Sequence, residues 1–256
     1  MSRNTRISIL VVLLVSVFAT LAGLNLYQYG YSKQQEKFGE RVRSYLLDNP
    51  KIIREMVRKL NVIEAREATD AKTKSLALYK DALERDGFSY VAGNPDGDVT
   101  IVEFFDYRCP YCKRSYPDMM KTVSDDGNVR LVLKEFPILG EDSVFATRAA
   151  IASKKQGKYM EFHEAMMTSR GSLNSDRVLQ FAQDVGMDTE QLLKDMEAEQ
   201  VSAEIKDTYQ LANALGITGT PAFVIGGALA SGAIPKDKME EMVITAREKL
   251  KASDSN

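Results

Sequence analysis

The stretch VEFFDYRCPYCKRSYP, Val102 to Pro117, constrains the fold of this chain more than any other. The apolar run Val99–Phe105 has the β-branched and aromatic content of a buried strand. It leads within a few residues into Cys109-Pro110-Tyr111-Cys112. Pro110 suits the first turn of a helix, because its missing N–H would be unpaired there in any case. The spacing predicts a helix from Cys109 to about Ser124 with Pro117 inside it, then a second strand over Asn128–Phe136. Strand, helix and strand in so short a span make a βαβ unit. Cys109 and Cys112 are the only cysteines in 256 residues. A bridge between them would close a very short loop and remove little unfolded-state entropy, so the pair is a poor staple. A sulfur at a helix start instead faces unpaired backbone N–H groups and the positive end of the helix dipole, and both favour thiolate. Cys109 is therefore read as an exposed nucleophile, Cys112 as a buried resolving thiol, and Tyr111 as flanking the sulfur.

At the N-terminus, Arg3 and Arg6 precede an apolar run from Ile7 to about Leu26. A cleaved signal has an apolar core of about 7–15 residues and a spanning helix roughly 17–25; this run is nearer the second. The two arginines keep that end in the cytoplasm and send the rest outward. An inner-membrane anchor over residues 7–26 is expected; the alternative is a signal peptide cleaved near Thr20-Leu21-Ala22, leaving a secreted form. Either way the body is periplasmic or otherwise extracytoplasmic, where a dithiol can be oxidised.

Residues 1–31 are read as this segment plus linker, with Tyr27 to Lys37 juxtamembrane. Phe38, Val42, Tyr45 and Leu46 keep helical spacing, and Asp48-Asn49-Pro50 is a stop and restart. Ile52, Ile53, Met56, Val57, Leu60 and Ile63 then form an apolar stripe; residues 64–75 are charged; Leu76, Tyr79 and Leu83 resume the spacing until Gly87. One helix over Pro50–Asp86 would be roughly 55 Å long. Residues 32–90 are accordingly expected to be a helical stalk that makes a homo-oligomer, dimer or trimer, through residues 38–63. The alternative is a helical hairpin broken within 64–75 and packed on the main domain. The turn cluster Gly93–Asp98 is read as the boundary, and 91–252 as the second domain. Within it a helical insertion over about 142–215 comprises Ser143–Gln156, Lys158–Thr168, Ser175–Val185, Thr189–Met196 and Val201–Leu215. A short strand follows Pro221, Ala228–Gly232 is an edge strand, and Pro235–Leu250 is a closing helix.

Net charge is −2 with mixed signs, and no basic patch is interleaved with aromatics, so nucleic acid is not an expected partner. His163 is the single histidine, which excludes a multi-histidine metal site within one chain. It reads as a packing or surface residue, and the pairs Met119/Met120 and Met166/Met167 read as core filler. No metal site is expected.

The CxxC pair followed by Pro117, together with Thr220-Pro221, resembles the thioredoxin superfamily. Lys134–Gly140 (KEFPILG), Gln156–His163 (QGKYMEFH) and Leu215–Pro221 (LGITGTP) are similar to phrases of its DsbA-like branch, of the DsbA, Com1 and ScsC types. The resemblance covers about residues 90–250, and the helical part before it is similar to N-terminal segments of dimeric or trimeric members. It implies an α/β thioredoxin fold with a helical insertion, preceded by the stalk and the membrane-targeting segment. It also implies a cis Pro221 beside the nucleophilic sulfur, with Thr220, Pro110 and Tyr111 touching substrate, which adds to the sheet as a strand. Glu103, in the strand before the cysteines, matches the family's buried acid, a proton acceptor for the resolving thiol. Lys134 on the next strand is a candidate partner for Glu103, with Glu135 facing the other way; the alternative is that Lys134 and Glu135 exchange roles. The implied activity is thiol–disulfide exchange with protein clients through a mixed disulfide, as an isomerase or mixed isomerase/oxidase. The redox-active disulfide Cys109–Cys112 would be the only redox group, recycled by a membrane redox partner. The alternatives are a monomeric dithiol oxidase and a copper-handling CxxC protein.

Overall fold

The computed structural model describes the backbone of residues 3–254 and the side chains of residues 15–252. The chain divides into two compact units, Met1–Ala68 and Thr69–Asn256.

In the first unit α1 (Arg3–Asp48) is continuous, so the expected linker over Tyr27–Lys37 is helix instead. No proline interrupts that stretch, and a single glycine costs a helix only about 1 kcal/mol. At Asn49 the chain restarts: its side chain donates to the Tyr45 carbonyl at 2.9 Å, and Pro50 opens α2 (Pro50–Leu78). The expected apolar stripe stays exposed, with Phe38 at 65%, Met56 at 58% and Leu60 at 52%. Of the apolar run over 7–26, the side chains of 7–14 lie outside the described residues. Among the described residues no helix is long and apolar enough to cross a membrane.

The second unit holds the end of α2 and α3 (Lys80–Glu84). The single helix expected to reach Asp86 breaks at Tyr79, and Leu76 and Leu83 on either side are both buried. Then come β1 (Tyr90–Gly93), β2 (Val99–Phe105), α4 (Pro110–Asp126), β3 (Val129–Glu135), α5 (Glu141–Ser153), α6 (Tyr159–Thr168), α7 (Ser175–Asp184), α8 (Thr189–Met196), α9 (Glu199–Ala214), β4 (Ala222–Ile225), β5 (Ala228–Ser231) and α10 (Lys236–Asp254). The sheet order is β1-β3-β2-β4-β5, with β2 and β3 parallel and the other pairs antiparallel.

The glycine-rich cluster expected at a domain boundary is a turn inside this unit. It joins β1 to β2 and presses on the start of β3. A Cβ on Gly93, whose φ is +69°, would lie 2.5 Å from the Val129 carbonyl oxygen, and one on Gly97 would lie 2.6 Å from the Arg130 nitrogen. Only glycine lets the backbones approach that closely.

Because side chains alternate along a strand, β2 and β3 feed two cores. Ile101, Phe105, Leu131 and Leu133 enter one with α4, α5, α6 and α10. Val102, Phe104 and Val132 enter the other with Leu83 of α3 and Leu211 of α9. Burial of each such side chain contributes roughly 1.5–3 kcal/mol. The central strands are thus fixed from both faces, which leaves the C-terminal end of β2 a rigid platform for the segment that follows it.

Candidate active site

That segment begins with Asp106, whose buried carboxylate gathers the loops around the cysteines. Its Oδ1 accepts from the Arg108 N–H at 2.7 Å and the Ser143 hydroxyl at 2.8 Å. Its Oδ2 accepts from the N–H groups of Ile138 and Leu139 at 2.8 and 3.0 Å. The loop after β3 is thereby tied to the turn that delivers Cys109. Asp106 was not among the expected site residues; an acid directly after a buried strand and three residues before the expected helix start at Cys109 was the available signal.

Cys109 is the N-cap of α4 and Pro110 occupies its first turn. The Cys112 N–H donates to Cys109 Sγ at 3.5 Å, and as a thiol Cys109 donates to the Thr220 carbonyl at 3.3 Å. Both cysteines are free. Their surroundings differ. At Cys109 the hydrogen bond from the Cys112 side chain is the largest effect. With those from the Thr220 side chain and from the Cys112 and Tyr111 amides it outweighs desolvation and brings the thiol down to about 6. Cys112 is fully buried, and burial drives its thiol far above the usual range. One sulfur is ready as a thiolate and the other is held as a thiol.

The Thr220–Pro221 peptide is cis, and Pro221 is buried. Pro110 and Tyr111 are exposed, whereas Cys109, expected to be exposed, keeps only 4% of its surface accessible. The Arg114 guanidinium sits 4.7 Å from the centre of the Tyr111 ring, a cation–π contact. Tyr111, Arg114, Thr220, Ile234 and Pro235 line a groove of about 470 Å³ beside the cysteines. Cys109, Cys112, Pro110, Tyr111, Thr220 and Pro221 are therefore brought together.

Glu103 lies beneath them on β2. It is wholly enclosed, and neither carboxyl oxygen has a hydrogen-bond partner. Burial raises it to about 8, with the charges of Cys109 and Glu135 adding to the effect.

Lys134 is not its partner. In the parallel register Glu103 faces Leu133, so residues 133 and 135 of β3 share its side of the sheet and residue 134 points through to the other. There Lys134 is paired with Asp86 and donates to the Ala82 carbonyl at 2.7 Å. The pairing outweighs burial at Asp86 and holds its carboxyl below the usual range.

Glu135 takes the place on the active-site face. Its Oε1 accepts from the hydroxyls of Tyr159 at 2.7 Å and Tyr107 at 3.0 Å, and its Oε2 from Thr147 at 2.9 Å. Burial raises its carboxyl, against the pull of these three donors. His163 is fully buried, with Nδ1 at 2.9 Å from the Tyr107 hydroxyl, so it is a packing residue with a polar partner. Burial lowers it to about 3, which keeps it neutral. Tyr107, Thr147 and Tyr159 come from three distant stretches, and nothing local in the sequence marked them. Among the described residues there is no group of three or more His, Cys, Asp or Glu placed to hold a metal ion.

An N-capping cysteine, a buried second cysteine and a facing cis proline on this mixed sheet define a thioredoxin-fold dithiol site. The family of DSBA-like thioredoxin domains matches residues 100–243, and that of the copper resistance protein ScsC N-terminal domain matches residues 34–67. The chain belongs to the DSBA-like thioredoxin family. A thioredoxin-like oxidoreductase from Silicibacter pomeroyi is 50% identical, with a TM-score of 0.65, covering 66% of this chain and 97% of that one. A linker-deletion variant of ScsC from Proteus mirabilis is 28% identical at a TM-score of 0.65, covering 84% of this chain and 96% of that one. Among curated sequences, the Na(+)/H(+) antiporter NhaA 1 of Salinispora arenicola is 25% identical over 159 residues, 61% of this chain. The chain spans about a quarter of that relative's length.

Proposed function

We propose that the protein is an extracytoplasmic thiol–disulfide oxidoreductase that works on protein clients, as an isomerase or mixed isomerase/oxidase. The contrast between the two sulfurs carries this reading. The Cys109 thiolate attacks a client disulfide; the Cys109–client S–S bond forms, the client S–S bond breaks, and a client thiolate leaves. For release, the Cys112 thiol gives its proton to the Glu103 carboxylate and attacks Cys109 Sγ. The Cys109–Cys112 bond forms, the second client thiolate departs, and the client is reduced as the enzyme is oxidised. In an isomerisation a client thiolate attacks Cys109 instead, and no net oxidation occurs. In the oxidase direction a client thiolate opens the Cys109–Cys112 disulfide, and Glu103 protonates the departing Cys112.

The isomerase preference draws on the exposed apolar stripe of α1 and α2 and on the ScsC N-terminal match over the same region. Such a face suits a homo-oligomer that presents several sites to one client. Arg3 and Arg6 ahead of the apolar run support an inner-membrane anchor over residues 7–26, which would place the site near a membrane redox partner able to recycle it.

The test is recovery of activity from a protein with scrambled disulfides. The full chain is compared with Cys109→Ala and with a chain starting at Thr69, which keeps Leu76, Leu83 and β1 with their sheet. Recovery that needs Cys109 and falls on truncation supports an oligomeric isomerase. Rapid oxidation of a reduced client without reshuffling points to an oxidase. If neither occurs, the catalytic reading is left without support.

A further inference from the structure

Two buried carboxyls lie on the active-site face of the sheet, and only one of them is provided for. Glu103 and Glu135 are diagonal neighbours on parallel strands, since Glu103 faces Leu133 and Phe105 faces Glu135. Strands about 4.8 Å apart with a rise of about 3.3 Å per residue put their backbones roughly 8 Å from each other. Both side chains are almost wholly enclosed, and among the described residues neither forms an ion pair. Glu103 has no hydrogen-bond partner. Glu135 has three hydroxyl donors.

The donor directions follow from chemistry. A tyrosine hydroxyl has one proton. With the Tyr107 proton directed to Glu135, neutral His163 must carry its own on Nδ1 and donate it to the Tyr107 oxygen. Tyr107 is thereby supported from behind as a donor, and Glu135 Oε1 sits at the end of a His163–Tyr107 chain. The other groups facing the pair are few. Cys109, Cys112 and Tyr116 of α4 face Glu103. Tyr159 of α6 and Thr147 of α5 face Glu135, as does the charge of Glu204 on α9, itself ion-paired with Lys154 at 2.7 Å.

Two carboxylates this close in a dry core do not both ionise readily, and the better-solvated one ionises first. We infer that Glu135 is a positioning residue: Tyr107, Tyr159 and Thr147 hold it as the charged member of the pair, and its charge keeps the proton on Glu103. Glu103 is then loaded for the step in which Cys112 leaves the enzyme disulfide. The client thiolate bonds to Cys109 Sγ, the Cys109–Cys112 bond breaks, its electron pair goes to Cys112 Sγ, and the Glu103 proton follows. In the reverse step the same charge makes the Glu103 carboxylate a stronger base. The inference rests on the proposed dithiol exchange, but its test does not need turnover.

The experiment is an infrared titration of the protonated-carboxyl C=O band in the full chain, beside the pH profile for opening of the Cys109–Cys112 disulfide by a small peptide thiol. The wild-type band at neutral pH should vanish in Glu103→Gln. In Glu135→Gln a Glu103 band should persist in acid, with its midpoint moved down by about 1.5 pH units, the size expected for like charges roughly 8 Å apart at an effective dielectric near 20. The alkaline decline of the opening rate should move down with it. Tyr107→Phe, which preserves the ring, should give a smaller downward shift and serves if Glu135→Gln does not fold. An unmoved midpoint in both variants, or a neutral-pH band that belongs to Glu135, would overturn the inference. A Cys109→Ala protein that still exchanged disulfides would instead overturn the functional reading and leave the titration result standing.

Discussion

The two faces of the sheet bury charge in opposite ways. On one, Lys134 and Asp86 are enclosed as a pair, and Lys134 also meets the Ala82 carbonyl. On the other, Glu103 and Glu135 are enclosed with no cation hydrogen-bonded to either among the described residues. The first arrangement satisfies its charges and asks nothing of solution conditions near neutrality. The second leaves one carboxyl whose proton has no fixed home, directly beneath two sulfurs of contrasting acidity. Lys134, Glu103 and Glu135 all belong to the same pair of strands, so fold alone does not separate the two arrangements. What separates them is whether the buried group has been given a partner, and the unpartnered one is the candidate for chemistry.

Breaking the paired face should have the largest effect. Lys134→Met strands Asp86 and should cost about 3–5 kcal/mol in denaturant unfolding, while the pH midpoint of Cys109 alkylation stays in place. A shifted midpoint would mean that the faces are coupled. Next comes Glu103→Gln. Burial raises the native Glu103 carboxyl from the ordinary 4.5 to about 8. A raised native value means that its favourable contribution is fully present below pH 4.5 and is lost as pH rises through 8. Reduced wild-type protein should therefore lose a few kcal/mol relative to Glu103→Gln across that window, as unfolding at a series of pH values would reveal. Parallel stability curves would contradict the burial argument.

Thr147→Val should be smaller still. It removes one of the donors to Glu135 and should cost roughly 1–2 kcal/mol near neutral pH. The cost should shrink in acid, where a protonated Glu135 needs fewer donors; a cost independent of pH would reduce Thr147 to packing. The smallest effect belongs to the surface side of the site. Iodoacetamide should modify Cys109 with a midpoint near pH 6 and spare Cys112. Thr220→Ala should raise that midpoint by less than about one unit, since it removes one contributor among several. An unchanged midpoint would assign the acidity to α4 and Cys112 alone.

Much of the frame was legible in the sequence because each piece had a local cause. The bounds of β2 and α8 match the expected Val99–Phe105 and Thr189–Met196, one from an unbroken apolar and aromatic run, the other from Asp188 capping the Gln191 N–H at 2.9 Å. The cysteine pair and Pro110 marked the start of α4 in the same way; its end falls at Asp126, just past the expected Ser124, where Gly127 caps it. What escaped had no local cause. β1 is four residues long, and only its pairing with β3 makes it a strand. The break at Tyr79 exists because Leu76 and Leu83 both turn to the sheet, and no glycine or proline announces it. Lys134 and Glu135 were both visible as buried polar residues, but which one joins Glu103 depends on a register between distant strands. The donors to Glu135 lie 12, 24 and 28 residues away in sequence, beyond any motif.

That register has a further consequence. Lys134 and Glu135 are neighbours in the chain, yet the pleat sends them to opposite sides, and the match of each to its surroundings depends on parity alone. Strand β3 therefore behaves like a message with a reading frame of two. Conservative replacements within it leave the frame intact. One residue inserted or deleted between Val129 and Lys134 would send an ammonium into the compartment of the cysteines and a carboxylate toward Asp86, reversing the polarity of both at once.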